Sequence, residues 1–431
     1  MNLFEKVKGY SGLISSRFGY MPILALALAL LMARLFAAAK LLSITEFANY
    51  NIGLLVSSSF CMLGCLGLQT MLQREWPGLV VTLRSRRGMV LCIQAILIAI
   101  LCAVIITSVL LLWSSCIFDH DSTLQTSILA VGVFNGLAQQ IFVLVTVESR
   151  SRGMTILFAG QYLLRAIIIL GIGVAVMTMR DSGLLVLLSE ALITAIASCL
   201  ILLSIARRAH MGIANATKIA AQTTHKLRWW TAFGLLCATI LSWSSQNIDR
   251  WMGQSMLDVR EFAMYAFAAN LLAIAGSAQM ILNSSVFPQL ARTLAMSGRR
   301  TTFLLCSKYC SILAAIGIIS APLVWVGWVN AVRHWYPAYE SSNNLAIFFI
   351  IAGILRCSDF WGSYLIIIGS ELRLKFATII ALIISFAVWY VLFVETLEYL
   401  PTMTSIAWLA CIIAVCTYIA NTAFAWREVR R

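Results

Sequence analysis

Apolar residues in this chain run in blocks of about twenty, and polar residues gather between the blocks. An apolar block of that length covers a hydrocarbon core of ~30 Å as a helix. The strict apolar–polar alternation that a membrane barrel needs is absent. The pattern predicts twelve spans, near 18–42, 47–73, 88–113, 122–147, 154–179, 183–206, 229–250, 261–290, 302–328, 342–369, 376–394 and 403–426. The first is too long for a cleaved signal, contains Arg34 and lacks a small-residue cleavage site. The expected fold class is therefore an all-α polytopic membrane protein.

The polar punctuation repeats. Glu46-Phe47-Ala48-Asn49-Tyr50 returns 215 residues later as Glu261-Phe262-Ala263-Met264-Tyr265. Glu148-Ser149-Arg150-Ser151-Arg152 returns at an offset of 223 as Glu371-Leu372-Arg373-Leu374-Lys375. Repetition at half the chain length implies a duplicated transporter. The longest polar stretch, 207–228, then becomes a basic cytoplasmic linker between two six-helix lobes, 1–206 and 229–431. Six spans per half is an even number, so the repeat is of the parallel kind.

Composition and charge sharpen the picture. Hydrophobic residues make up 61% of the chain and charged residues 11%, against about 25% charged in soluble domains. Of the 31 Lys/Arg, 23 fall in segments on one side when the N-terminus is cytoplasmic. Five lie on the other side: Lys40, Arg180, Arg250, Arg260 and Arg333. This asymmetry predicts cytoplasmic termini. It also accounts for the +14 net charge without nucleic acid; loops such as Arg84-Ser85-Arg86-Arg87 are expected to meet anionic lipid headgroups.

Catalytic and cofactor signatures are missing. There is no P-loop, no H-E-x-x-H and no G-x-S-x-G, and the four histidines are scattered through loops. The twelve cysteines lie almost wholly within spans, and only Cys116 approaches the outer face. Neither a disulfide framework nor a metal site is expected, and no cofactor. No loop is large enough to fold as a domain. The reading is a transporter, not an enzyme.

Ionisable residues within spans are costly and mark function or pairing. They are Arg34, Arg165, Glu190, Arg356 and Asp359. Arg34 has no acid in its own span, so it is an anion-binding candidate or a snorkelling cation. Arg165 and Glu190 lie on consecutive spans at depths about 7 Å apart, as a structural pair or a substrate contact. Arg356 and Asp359 are i, i+3, sharing a face for mutual neutralisation or for transport. Glu190 and Asp359 are the expected intramembrane carboxylates, hence ion-coupling candidates.

Polar stripes supply further cavity candidates. Span 7 carries Ser242, Ser245/Gln246 and Asp249 on one face, next to Asn247 and Arg250. Span 2 carries Ser58, Met62, Cys65, Gln69 and Gln73; span 8 carries Gly276, Gln279 and Asn283. Such stripes line aqueous cavities or join helices. Pro22, Pro288 and Pro322 lie near span ends, where each is able to bend a helix. Trp113, Trp251, Trp325, Trp328 and Trp335 form one interfacial belt and Trp229, Trp230 and Trp426 the other, with Trp243 and Trp361 deeper.

Four sets of residues carry a family resemblance. The first is Ala33-Arg34 with Lys40 through Tyr50, followed by Gly67-Leu68-Gln69 and Arg74-Glu75. The second is Asn247-Ile248-Asp249-Arg250-Trp251, leading into the repeated phrase and Phe287-Pro288-Gln289-Leu290-Ala291-Arg292. The third is Trp335-Tyr336-Pro337-Ala338-Tyr339, and the fourth is the loop Glu371–Lys375. In these the chain resembles the polysaccharide (O-antigen) flippases, Wzx type, of the MATE-like exporter superfamily. The resemblance implies two lobes around a cavity lined mainly by spans 1, 2, 7 and 8. It implies alternating access that carries an undecaprenyl-diphosphate-linked oligosaccharide across the bacterial inner membrane. Other polysaccharide-assembly membrane proteins are then further partners. Arg34 and Asp249-Arg250 match the family's cationic span-1 position and span-7 signature. Arginine forks suit phosphate oxygens.

A multidrug exporter of the same superfamily is the nearest alternative, though its cavity is expected to be acidic. A lipid II flippase has more spans. A major-facilitator transporter needs G-x-x-x-D-R-x-G-R-R after span 2, and Pro77 to Gly88 does not supply it. A glycan polymerase or ligase needs a larger outer loop.

Overall fold

Unbroken apolar blocks with few internal glycines or prolines fold as long helices, and the computed structural model describes residues 19–116, 120–395 and 402–430 as helix almost throughout. The basic residues of the N-terminal arm and the side chains of Trp113, Cys116, His120 and Pro288 lie outside what is described.

The first half contains α1 (Met21–Leu41), α2 (Ile44–Leu63), α3 (Leu68–Val81), α4 (Ser85–Cys116), α5 (His120–Ser151), α6 (Thr155–Met179) and α7 (Gly183–Ala209). A short amphipathic helix, α8 (Ile213–Thr223), follows within the linker. The second half contains α9 (Trp229–Met256), α10 (Val259–Trp335), α11 (Asn343–Ser358), α12 (Trp361–Ile367), α13 (Glu371–Tyr390) and α14 (Met403–Val429).

Among the described residues ten helical segments are long and apolar enough to cross a membrane, and the bent pair α2–α3 makes eleven. The remaining expected span is α9. Its 28 residues reach about 42 Å, but its polar C-terminal half lowers its hydropathy. Spans 8 and 9 run together in α10, which holds 77 residues and breaks only at Gly298 (φ 77°, ψ −178°). Only glycine adopts that backbone freely.

Three details depart from expectation. Span 2 is not one straight helix: α2 and α3 meet at 51°, with Leu66 (φ 52°) and Gly67 (φ 84°) left-handed between them. A Cβ on Gly67 would stand 2.1 Å from the carbonyl oxygen of Ala232, so α9 approaches this corner too closely for any side chain. The expected Ser58-to-Gln73 stripe is therefore split between two axes. Span 10 is also broken: α11 stops at Ser358 and α12 starts at Trp361. Pro22 sits in the first turn of α1, where a missing N–H costs nothing, so it starts the helix and does not bend it.

Two compact units result, Met1–Leu42 with Asn49–Ile240, and Ser43–Ala48 with Leu241–Arg431. In the first, α1 packs on α6 and α5 on α7. In the second, α10 packs on α11, and α14 packs on both α11 and α13. Each unit closes its basic end with a buried carboxylate. Glu148, 1% exposed, accepts Arg152 and Arg208 (2.7 Å) in the first. Glu428, 4% exposed, accepts Arg373 and the hydroxyl of Ser370 (3.1 Å) in the second. Long runs such as Ile318, Ile319 and Leu323 stay exposed, as side chains facing lipid do.

Candidate functional site

In the first unit the span-borne charges meet one another. Arg34 of α1 donates from Nη1 to Glu190 Oε2 at 2.6 Å. The hydroxyl of Tyr50 on α2 donates to Glu190 Oε1 at 2.6 Å. Three helices thus share one buried carboxylate, and the Arg34 guanidinium carbon lies 5.9 Å from the Tyr50 ring centroid. One expectation is corrected here. Arg34 has no acid in its own span, and its partner comes from another helix, 156 residues away in the chain. Glu190 pairs with Arg34, not with Arg165. Arg165 meets α7 one turn further along, donating from Nε to Thr194 Oγ1 at 3.0 Å, and its guanidinium lies over the Phe142 ring at 4.7 Å. Gln69 stands in the first turn of α3, its Oε1 buried without a partner among the described residues.

The second unit arranges the same residue types around open space. A cavity of about 300 Å³ is lined by Ser245, Gln246, Asn247 and Arg250 of α9, and by Leu272, Ala273, Gly276 and Gln279 of α10. Leu355 and Arg356 of α11, Asp359, and Ile413, Ala414 and Thr417 of α14 complete the wall. Eight of the sequence candidates therefore converge: Ser245, Gln246, Asn247, Arg250, Gly276, Gln279, Arg356 and Asp359. Asn283, one turn below Gln279, accepts from the Ser363 hydroxyl at 2.9 Å and does not line the space. The cavity belongs to spans 7, 8, 10 and 12.

Neither cation makes an ion pair among the described residues, although the charge of buried Asp249 acts on Arg356. Arg250 Nη2 donates to the Ala269 carbonyl at 3.0 Å, while its Nε is buried with no hydrogen-bond partner described. Arg356 reaches the carbonyls of Ser245 and Gln246, both at 3.4 Å. The expected neutralisation of Arg356 by Asp359 does not occur, because α11 ends between them and the i, i+3 face is lost. Asp359 instead accepts the Trp361 N–H at 3.1 Å, capping α12, and the Asn421 amide at 2.8 Å. The carbonyls freed by the break are also satisfied. Gln279 donates to Asp359 O at 3.2 Å, and Cys306 to Phe360 O at 3.5 Å. Broken helices survive at membrane depth where they line a cavity and their backbone groups are paired.

Asp249 departs from the face assigned to it. α9 runs on to Met256, so Asp249 and Arg250 lie inside the helix and not at its end. Asp249 is 1% exposed, is not among the residues lining the cavity, and accepts the Tyr265 hydroxyl at 2.7 Å. It is a further buried carboxylate beyond the two expected. Tyr50 and Tyr265, which reasoning on charge passed over, close the repeated phrase at the same 215-residue offset. Asn421 and the helix break at Asp359 were also missed; an Asp two residues before a new helical turn was the available signal. Trp361 is buried against Phe303, ring centroids 5.1 Å apart, as part of the core.

No family model matches the chain, and no curated protein matches its sequence. Solved structures do match in fold. A point variant of the Vibrio cholerae MATE transporter VcmN gives a TM-score of 0.66 at 13% identity, covering 97% of this chain and 98% of that one. An outward-facing multidrug resistance MATE family transporter of the MOP superfamily gives 0.63 at 10% identity, covering 96% and 95%. The eukaryotic MATE transporter AtDTX14 gives 0.58 at 10% identity, covering 97% of each. At such low identity the likeness establishes the fold: a multi-pass, all-helical membrane protein with the MATE architecture.

Proposed function

We propose that this chain is a flippase for an anionic lipid-linked oligosaccharide, of the undecaprenyl-diphosphate kind, that supplies surface polysaccharide synthesis. The observation that carries the reading is the pair Arg250 and Arg356. Both line the second unit's cavity, and backbone carbonyls are their described partners. Two guanidiniums beside open space, one with a spare N–H, form a receptor for phosphate oxygens. About 300 Å³ is the lower end of ligand sites, enough for a charged headgroup but not for a whole glycan. Sugars and lipid tail then lie outside this cavity. The termini are cytoplasmic in this reading and the membrane is a bacterial inner membrane. Asp359, the carboxylate at the same cavity, is the ion-coupling candidate.

The second reading is a small-molecule exporter of the same fold, favoured by the Asp359 carboxylate in the cavity wall. One experiment separates the two. Deleting the gene should remove surface polysaccharide and leave lipid-linked repeat units on the cytoplasmic leaflet. Intact surface glycan with raised drug sensitivity would replace the flippase reading by the exporter reading.

A further inference from the structure

Far along the chain from that cavity, the first unit carries a groove of different chemistry. Three adjoining cavities of about 480, 460 and 390 Å³ share Arg87 in their walls. They lie where the start of α4 meets the end of α7 and the linker helix α8. α8 is fixed there by Ala216 and Ala220, both fully buried. The Gln94 side chain of α4 donates to Thr223 Oγ1 at 2.8 Å and to Ala220 O at 3.4 Å.

The groove is basic. Arg84, Arg86, Arg87 and Lys218 line it and make no ion pair among the described residues. Arg86 reaches only the Ala209 carbonyl, at 3.4 Å. Neighbouring Arg208 is instead committed to Glu148. Glu75 is the acidic residue among those lining the three cavities, and it stands in the smallest.

Apolar side chains stand among the charges. Leu83 is 91% exposed on a left-handed backbone (φ 57°), a conformation that costs a leucine energy. Ile219 of α8 is 42% exposed and lines two of the cavities. About 20 Å further along α4, Leu101, Val104 and Ile105 are each more than half exposed. Cations flanked by exposed apolar groups, at the mouth of an apolar helix, match a headgroup–acyl boundary better than an aqueous site.

We infer that this groove binds an anionic phospholipid. Arg84, Arg86, Arg87 and Lys218 hold its phosphate, and its acyl chains lie along α4. The bound lipid bridges α4 and α8, and so ties the linker to the membrane surface.

Native mass spectrometry of the full chain in detergent, titrated with phosphatidylglycerol or phosphatidylcholine, tests this. Phosphatidylglycerol should bind more tightly, and R86Q/R87Q should weaken it by about tenfold, given two lost surface cations. R86K/R87K should retain most of the binding. Equal affinity for the two lipids, or no loss in R86Q/R87Q, overturns the inference. Displacement of phosphatidylglycerol by inorganic pyrophosphate would mark an aqueous phosphate site and overturn it too. Should R86Q/R87Q fail to fold, hydrogen exchange on the unmodified chain decides. Adding phosphatidylglycerol to phosphatidylcholine nanodiscs should slow exchange over 213–223, and unchanged exchange overturns the inference.

Discussion

The two units use matching residues in opposite ways. In the first, a cation on span 1, Arg34, meets a carboxylate from span 6, Glu190, and the repeated tyrosine Tyr50 completes the cluster. In the second, the position 215 residues on from Arg34 is a carboxylate, Asp249, and the repeated tyrosine Tyr265 donates to it. The tyrosine-to-carboxylate bond is kept while the helix that supplies the carboxylate changes. The consequence lies in the cations. Arg34 is spent on Glu190, whereas Arg250 and Arg356 have backbone partners and face a cavity. Duplicated scaffold and divergent charge together suggest a division of labour: one unit uses its buried charge to hold helices, the other to hold a ligand.

That division predicts its own failure points. The largest effect should come from Arg34→Ala or Glu190→Ala, each leaving a buried charge unpaired at a cost of about 3–5 kcal/mol. Replacing both by apolar residues should recover most of that stability, as thermal unfolding in detergent would register. If Arg34→Ala leaves stability intact and abolishes export, the first unit's pair is functional and the contrast collapses. R250Q and R356Q should lower export by about tenfold each, the value of a lost charge-assisted hydrogen bond, at near-normal stability. Substrate-stimulated export measured against melting temperature would separate the two. Tyr50→Phe and Tyr265→Phe should each destabilise by about 1–3 kcal/mol, because each leaves a buried carboxylate oxygen without its donor. A marked difference between them would show that the two clusters are less alike than their hydrogen bonds suggest. The smallest effect belongs to Asn421→Ala, about 1 kcal/mol, since Asp359 keeps the Trp361 N–H.

Much of the fold was written in the apolar pattern. The expected all-helical membrane architecture is present because twenty-residue apolar runs have no alternative in lipid. The breaks in spans 2 and 10 were not legible, for they depend on close approach and not on hydropathy. Gly67 is required by the carbonyl of Ala232, 165 residues away. At the candidate site, sequence identified residue types but not partners. Arg34 has no acid in its own span, and the acid it meets comes from another helix. Arg356 and Asp359 share a face only on a continuous helix, and α11 ends between them. Eight candidates nevertheless converge on one cavity, since polar residues in an apolar span have few other places to go. Tyr50 and Tyr265 are legible as part of a repeat, but their hydroxyls carry no formal charge to mark them.

The central claim is that the second unit's arginines receive the phosphates of a lipid-linked glycan. Reconstitution tests it most directly: the purified chain in liposomes carrying a polyprenyl-diphosphate-linked oligosaccharide in one leaflet, with its appearance in the other followed over time. The account predicts transfer by the unmodified chain and near-complete loss in R250Q/R356Q at unchanged melting temperature. Equal transfer by the two proteins would contradict it.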